Sequence, residues 1–212
     1  MSDVVDVVIQ RVGVVGAGQM GSGIAEVCVR AGIEVTVFDT AEALITAGRQ
    51  RMVKSLERGV SAGKLTEQER DTALSRLTFV TDLSQLSDRQ LVIEAVVEDE
   101  TVKKQIFAEL DRVITDPAAV LASNTSSIPI MKLAAATKNP QRVLGLHFFN
   151  PVPVLPLVEL VTTLVTDAAA ATRIDEFAQS VLGKQVERCS DRSGFVVNAL
   201  LVPYLLSAIR MV

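Results

Sequence analysis

The sequence predicts an α/β fold built on a doubly wound, mostly parallel sheet. Short apolar strand patterns alternate with amphipathic helical patterns along most of the 212 residues. This order is expected when each strand is followed by a helix that crosses back to start the next strand. A glycine-rich turn joins the first strand to the first helix. Apolar residues make up 49% of the chain, so a protein of this length can bury a sizeable core.

The first strand ends in Gly16, Gly18 and Gly21, spaced Gly-x-Gly-x-x-Gly. In a dinucleotide-binding turn the first glycine permits the tight turn, and the second lets the backbone approach a pyrophosphate. The third lets the helix pack closely against the strand. The pyrophosphate then meets free N–H groups at the positive end of the helix dipole. The motif therefore predicts a Rossmann-type dinucleotide-binding domain; a glycine-rich turn without a ligand is the alternative.

The second strand pattern, over 34–39, follows Gly32 and closes with Asp39. An acidic residue at this point of the motif accepts hydrogen bonds from the ribose hydroxyls of the adenosine half of the cofactor. Its negative charge also repels a 2′-phosphate, so Asp39 favours NAD over NADP. The alternative is an ordinary acid at the end of a strand.

A long helical pattern over 41–63 carries a basic stripe, with Lys64 just beyond its end. The stripe consists of side chains that recur at three- and four-residue spacing, namely Arg51, Lys54, Ser55 and Arg58. Because the chain as a whole has a formal net charge of −4, a local basic stripe suggests an anionic partner such as a phosphate. A solvated helix face is the alternative.

The remaining predicted elements continue the alternation of helices and strands. In chain order they are a helix over 66–77 with a capping box at Thr66, a strand over 77–80, a turn over 82–87, a strand over 90–96, a helix over 100–115 capped by Asp99, strand 120–123, helix 128–136, strands 142–148 and 157–161, helix 167–182, strand 185–188 and an apolar helix over 194–209.

Composition excludes several classes of protein. The acidic balance argues against general affinity for nucleic acid or an anionic membrane, and the stretch 194–209 falls short of a membrane-spanning helix. Residues 1–10 lack the basic segment of a signal peptide. Cys28 and Cys189 are too few and too far apart for a disulfide framework or a metal cluster, so we expect no metal and a reducing compartment, the cytoplasm.

The only histidine, His147, closes a predicted strand at the edge where open α/β sheets bind ligands. Glu159 lies in an apolar strand pattern, where a lone carboxylate is unfavourable unless it is paired. If the two strands are neighbours, Glu159 accepts a hydrogen bond from one imidazole nitrogen and leaves the other nitrogen to transfer a proton. A histidine satisfied within the core is the alternative.

Two further polar features lie near this chemistry. The hydroxyl cluster 123–127 closes another strand and either orients a substrate oxygen or the nicotinamide, or caps the next helix. Asn198 is a polar residue within the final apolar helix. It is either a substrate ligand or a group that forms a hydrogen bond between helices.

Four ordered motifs extend the interpretation: Gly16–Gly21, Ala122–Ser127, His147–Pro151 and Ser193–Asn198. With them, the chain resembles the short-chain L-3-hydroxyacyl-CoA dehydrogenases, and most of all the bacterial 3-hydroxybutyryl-CoA dehydrogenases, from about residue 11 to residue 212. The resemblance implies reversible hydride transfer between NAD and the 3-hydroxyl carbon of a short acyl-CoA, in fatty acid metabolism such as β-oxidation. It also implies a homodimer.

The resemblance implies roles for particular residues. His147 is the proton acceptor in oxidation, Glu159 is its partner, and Ser126 and Asn198 hold the reacting oxygen. Residues implied to contact the cofactor are Gly16, Gly18, Gln19, Met20, Gly21, Asp39, Glu98, Lys103, Ser126 and Asn150. Ser55 is implied to contact CoA. Ala62 stands where some members of the family have a CoA-contacting lysine, so Arg58 or Lys64 substitutes for it.

Members of that family continue for several more helices, which close the substrate cleft and form the dimer interface. We therefore expect an NAD-binding domain over 1–189 and, over 190–212, the first helix of a truncated all-α C-terminal domain. NAD binding then survives, turnover is weak or absent, and the exposed helix promotes self-association. Two other functions stay open: a dehydrogenase of the same superfamily that acts on a non-CoA hydroxy acid, and a non-catalytic NAD-binding protein.

Overall fold

A single sheet of eight strands organises residues 8–211, the part of the chain that the computed structural model describes. The strands are β1 (Arg11–Val15), β2 (Glu34–Phe38), β3 (Leu77–Val80), β4 (Leu91–Glu94), β5 (Val120–Ser123), β6 (Val143–Phe148), β7 (Leu157–Thr162) and β8 (Gln185–Ser190). Their order across the sheet is β3-β2-β1-β4-β5-β6-β7-β8. Neighbouring strands are parallel except β6 and β7, which are antiparallel. The predicted doubly wound, mostly parallel α/β fold is confirmed.

Helices cover both faces of this sheet. They are α1 (Gln19–Arg30), α2 (Glu42–Ser61), α3 (Glu67–Ser75), α4 (Glu100–Val113), α5 (Ile130–Ala134), α6 (Ala168–Glu176) and α7 (Val197–Ile209). The predicted capping box at the start of α3 is present, since Thr66 and Glu69 exchange side-chain and backbone hydrogen bonds. Asp99 caps α4 by accepting from Val102 N. The helix predicted over 167–182 is α-helical to Glu176 and then continues as a π-helical turn, Phe177–Val181.

Several predicted elements are longer than the observed ones, and two of these differences have local reasons. The strand predicted over 90–96 ends at Glu94, because the Glu94 side chain accepts a hydrogen bond from Val96 N at 2.7 Å and turns the chain out of the sheet. The helix predicted over 128–136 is only α5. Its first helical residue follows Pro129, whose missing N–H suits the edge of a helix rather than its interior.

The core lies on both faces of the sheet. Successive residues of β1 belong to different apolar clusters: Val14 packs with α1 on one face and Val15 packs with α4 on the other. Both side chains are fully buried. A parallel sheet covered by helices on both faces requires such continuously apolar strands.

Helix α7 differs from the other helices because none of its residues is buried. Leu200, Tyr204 and Ile209 are each about 70% exposed. No helix among the described residues is both long and apolar enough to cross a membrane. The domain boundary expected near residue 189 stays a prediction, and most of the segment 1–10, in which the sequence predicts no leader, lies outside the described residues.

Candidate active site at the carboxyl edge of the sheet

The turn between β1 and α1 has the shape that the glycine motif predicts. Gly16 has φ +104°, and a Cβ there would lie 2.7 Å from the Ala95 carbonyl oxygen. A Cβ on Gly21 would lie only 1.8 Å from the Gly16 carbonyl oxygen. A Cβ on Gly18 would meet no atom within 4 Å. The two outer glycines are therefore required by close packing, whereas Gly18 faces open space, which fits a turn that presents its backbone to a pyrophosphate.

Polar contacts hold the peptide groups of this turn in place. Asp39, at the end of β2, accepts a hydrogen bond from Ala17 N at 2.8 Å through Oδ2 and from Thr40 N at 2.7 Å through Oδ1. On the other side, Arg51 of α2 donates to the Ala17 carbonyl oxygen at 2.8 Å. Asp39 therefore lies beside the glycine turn, where the sequence places the ribose-binding carboxylate. Arg51, which the sequence groups with the basic stripe, instead donates its hydrogen bond to the turn itself.

His147 and Glu159 face each other across the antiparallel pair β6 and β7. His147 Nδ1 lies 2.7 Å from Glu159 Oε2, and the two residues are 7% and 0% exposed. Glu159 Oε1 accepts from Val196 N at 3.0 Å and Val197 N at 2.8 Å, at the start of α7. A carboxylate accepts hydrogen bonds only, so it favours the imidazole tautomer protonated at Nδ1 and leaves Nε2 for proton transfer.

A second cluster of charged side chains surrounds Lys103 of α4. Lys103 Nζ lies 2.6 Å from Glu94 Oε1 and 3.4 Å from Glu98 Oε2. Glu98 Oε1 accepts from the hydroxyl of Thr125 at 2.6 Å and from Ser126 N at 3.0 Å. Burial opposes ionisation of Glu98, but the hydrogen bonds from Thr125 and Ser126 and the charge of Lys103 hold its pKa below the ordinary value. Glu98 is therefore a carboxylate at neutral pH.

One cavity of about 350 Å³ brings several of the predicted residues together. Seven of them line it: Met20, Glu98, Lys103, Ser126, His147, Asn150 and Asn198. Gln19 adjoins this group, since its Nε2 donates to Asn150 Oδ1 at 3.1 Å. Ser126 of the hydroxyl cluster and Asn198 therefore line the same cavity as His147, while Thr125 accepts a hydrogen bond from Ile128 N at 3.0 Å at the start of the next turn.

The basic stripe and Lys64 lie on two different surfaces. Arg51, Lys54, Ser55 and Arg58 line a cleft of about 240 Å³ beside Asn150 and Pro151. Lys64 instead lines a separate groove between α3 and residues 181–184, which precede β8. The structure thus brings Ser55 and Arg58, but not Lys64, to the edge of the cleft.

Glu26 also lines this cleft, although it is 3% exposed. Burial raises its pKa above the ordinary value, and this outweighs the opposing hydrogen bond from Ser55 and the charges of Arg30 and Arg58.

Two functional candidates were not singled out from the sequence. Asn124 lines the cavity and fixes the end of β6, because its Oδ1 accepts from Phe148 N at 2.8 Å. Glu94 is the closest partner of Lys103. The available signal for Asn124 was its place within the hydroxyl cluster. For Glu94 it was a lone carboxylate in the apolar strand pattern 90–96, the same signal that marked Glu159.

The fold and the site together define a class of protein. The glycine turn has the geometry of a dinucleotide-binding motif and leads into α1, whose Met20 lines the cavity beside His147. With the histidine paired to a buried carboxylate, these are the features of a dinucleotide-dependent oxidoreductase. Among residues 8–211, no group of three or more His, Cys, Asp or Glu side chains is arranged to hold a metal ion. Cys28 is a buried free thiol, whose pKa burial raises to about 12.

Comparison with known proteins narrows the class. The family described as "3-hydroxyacyl-CoA dehydrogenase, NAD binding domain" matches residues 11–192. A 3-hydroxybutyryl-CoA dehydrogenase of Mycobacterium tuberculosis is 85% identical over 204 residues, which cover 96% of this chain and 71% of the relative. The crystal structure of M. tuberculosis FadB2 matches with a TM-score of 0.95 at 85% identity, over 96% of this chain and 71% of that chain.

A more distant structure is that of a diketoreductase described as catalysing reactions of dicarbonyl compounds. It is 30% identical with a TM-score of 0.88, over 94% of this chain and 71% of that chain. The chain belongs to the 3-hydroxyacyl-CoA dehydrogenase family and contains its NAD-binding domain. It is thus a member of a family of NAD-dependent oxidoreductases.

Proposed function

We propose that this chain interconverts short-chain (S)-3-hydroxyacyl-CoA and 3-ketoacyl-CoA, with 3-hydroxybutyryl-CoA and acetoacetyl-CoA as the substrate pair. The observation that carries the proposal is His147, paired with the buried Glu159, lining the same cavity as Ser126 and Asn198. The relatives named 3-hydroxybutyryl-CoA dehydrogenase support the choice of substrate.

His147 and Glu159 supply the acid and base of this reaction. With Nδ1 protonated and held by Glu159, His147 accepts the proton of the substrate 3-hydroxyl at Nε2 during oxidation and returns it to the ketone oxygen during reduction. The carboxylate of Glu159 stabilises the imidazolium that forms. Ser126 and Asn198 hold the reacting oxygen near that nitrogen. When bound, NAD accepts or donates the hydride at its nicotinamide ring.

The cofactor would lie between the glycine turn and this cavity. Gly16, Gly18 and Gly21 shape the turn, and Asp39 at the end of β2 receives the adenosine ribose. Beyond the turn, the proposed contacts line or adjoin the cavity: Gln19, Met20, Glu98, Lys103, Ser126 and Asn150. The open space at Gly18 supports this path.

The acyl-CoA would enter beside α2. Ser55 and Arg58 line the cleft next to Asn150, which also lines the His147 cavity. This continuity supports Ser55 and Arg58 as contacts for CoA. Lys64 lines a different groove, so we do not assign it to the cleft.

The organisation of the protein is part of the same proposal. We place the NAD-binding domain over 1–189 and the start of a helical domain over 190–212, supported by the absence of buried residues in α7. We also propose a homodimer in the cytoplasm. The acidic charge and the free cysteines support this compartment, and acyl-CoA is the proposed partner rather than nucleic acid or membrane.

The test is oxidation of NADH by excess protein in a single turnover, with acetoacetyl-CoA and free acetoacetate compared at equal concentration. The proposal expects oxidation with acetoacetyl-CoA alone. Equal oxidation with free acetoacetate would instead favour a hydroxy-acid dehydrogenase. Because excess protein lets even a weakly active chain complete one turnover, NADH binding without oxidation by either compound after prolonged incubation would favour a non-catalytic NAD-binding protein. The variant His147→Gln should bind NADH and lose the reaction.

A further inference from the structure

Glu94 is a fully buried carboxylate at the end of β4, and it lies outside the set of residues proposed to touch cofactor or substrate. Its Oε1 accepts from Lys103 Nζ at 2.6 Å and Val96 N at 2.7 Å, and its Oε2 accepts from the hydroxyl of Ser123 at 2.6 Å. Burying a carboxylate is unfavourable unless it is paired and hydrogen-bonded. Three donors at these distances meet that requirement.

The hydrogen bonds of Glu94 belong to a closed circuit beside the cavity. Ser123, which donates to Glu94, accepts from Thr125 N at 3.2 Å, and Thr125 donates to Glu98 at 2.6 Å. Glu98 in turn lies 3.4 Å from Lys103, which returns to Glu94. The circuit therefore joins the ends of β4 and β5 to the first turn of α4.

Lys103 has a charge that only close carboxylates can balance. The residue is 1% exposed, yet it lines the His147 cavity together with Glu98. Of its two carboxylate partners, Glu94 is the nearer and is fully buried, whereas the Glu98 side chain is 39% exposed. A buried ammonium without a matched charge is strongly unfavourable. Glu94 is thus the nearer and more deeply buried of the two carboxylates that hold Lys103 in place.

We propose that Glu94 is a positioning residue for cofactor binding: it holds the Lys103 ammonium at the cavity wall and, through Ser123, fixes the turn that carries Ser126. The proposal rests on the proposed function, in which Lys103 contacts NAD. Glu94 acts through these neighbours and does not touch the cofactor itself. A purely structural ion pair would stabilise the fold without setting the affinity for NADH.

A double-mutant cycle separates these roles. The variants are Glu94→Gln, Lys103→Met and the combination of both, and the readouts are the Kd for NADH by fluorescence titration and the thermal midpoint of unfolding. Glu94→Gln should raise the Kd about tenfold or more, the loss expected for a charge-assisted hydrogen bond. In the Lys103→Met background the same substitution should change the Kd less than about twofold, because glutamine can still hydrogen-bond to the Ser123 hydroxyl and the effect through Lys103 is already lost.

The thermal midpoint of unfolding distinguishes a positioning role of Glu94 from a purely structural one. Replacing both members of a buried ion pair by neutral side chains removes the uncompensated charge that a single replacement leaves. The double variant should therefore recover stability relative to Glu94→Gln while its affinity for NADH stays low. Recovery of affinity together with stability would overturn the proposal and leave Glu94 a structural residue.

Other outcomes are equally decisive. An equal increase in Kd from Glu94→Gln in both backgrounds would show that Glu94 does not act through Lys103. If Glu94→Gln fails to fold, comparison of the double variant with Lys103→Met still tests the inference, and a further loss of affinity there overturns it. If Lys103→Met leaves the Kd unchanged, the cofactor role of Lys103 in the proposed function fails first.

Discussion

Replacing Glu159 by glutamine tests whether the tautomer of His147 governs the reaction. Glu159 Oε1 receives two backbone N–H groups, from Val196 and Val197, while Oε2 faces His147 Nδ1 at 2.7 Å. A glutamine must place its carbonyl oxygen toward the two N–H donors, because its amide nitrogen cannot accept hydrogen bonds there. The amide nitrogen is then directed at Nδ1 and donates to it.

The Glu159→Gln substitution therefore favours the opposite tautomer of the His147 imidazole. With a donor at Nδ1, the ring carries its proton on Nε2, so Nε2 can no longer accept the proton of a substrate hydroxyl. In the serine protease triad, the corresponding carboxylate-to-amide change keeps the geometry and lowers kcat by about 10⁴-fold. We expect a loss on the order of 10³- to 10⁴-fold here by the same reasoning. Stability should change by only about 1 kcal/mol, since both backbone hydrogen bonds are kept.

The assay is single-turnover oxidation of NADH with acetoacetyl-CoA, with the Kd for NADH measured separately. Glu187→Gln is the matched control, because Glu187 pairs with Glu159 in the sheet register but is exposed on β8. It should behave as the original chain in both measurements. Glu159→Gln should bind NADH normally and react slowly. A rate within about tenfold of the original chain would refute the tautomer argument, since one tenfold step is only about 1.4 kcal/mol.

Three further predictions follow from the geometry. Gly194→Ala and Gly63→Ala, at φ +75° and +67°, should each lower stability by about 1–2 kcal/mol, but only Gly194→Ala, which precedes the N–H donors of Glu159, should slow NADH oxidation. Arg58→Ala should raise the KM for acetoacetyl-CoA about threefold to tenfold, as expected for loss of one exposed charge contact to a phosphate, whereas Lys64→Ala should leave it unchanged. Glu26→Gln should raise the Tm at neutral pH: burial raises the Glu26 pKa in the folded state, so stability of the original chain falls as pH rises from the unfolded-state pKa through the folded-state value. That advantage should vanish in a Tm series carried to lower pH, where the Glu26 carboxyl of the original chain is protonated in both the folded and the unfolded state.

Local pattern was enough to predict most of the fold. Strand β5 begins and ends where its pattern predicts, because a buried parallel strand is nearly continuous in its hydrophobicity. Strand β3 also matches its predicted bounds, although it is an edge strand and only Val80 in it is buried. Strand β4 was predicted too long because its end depends on Glu94 accepting from Val96 N. Periodicity contains no information about such a side-chain hydrogen bond, so strand and helix ends are where sequence reasoning fails first.

The basic stripe shows why part of the site could not be predicted. Helical spacing places Arg51 on one face with Lys54 and Arg58, but it does not say what that face meets. A Cβ on Gly48 would lie 2.7 Å from Ala17 Cβ, so α2 packs directly on the cofactor turn there. Arg51 consequently donates to the Ala17 carbonyl oxygen. Only the tertiary packing reveals that Arg51 binds the glycine turn instead of remaining free for an anionic partner.

The position of His147 depends on two parts of the chain that are far apart in sequence. Strand pairing sets His147 opposite Glu159, as a lone acid in an apolar strand allowed us to anticipate. The second oxygen of that acid is held by the backbone at the start of α7, directly after Gly194 and Phe195, both in the left-handed region. Because one carboxylate binds both partners, displacing the start of α7 removes donors from Glu159 and weakens its hold on the imidazole. The proposed catalytic pair is therefore completed by the segment that begins the last helix, and the sheet alone does not suffice.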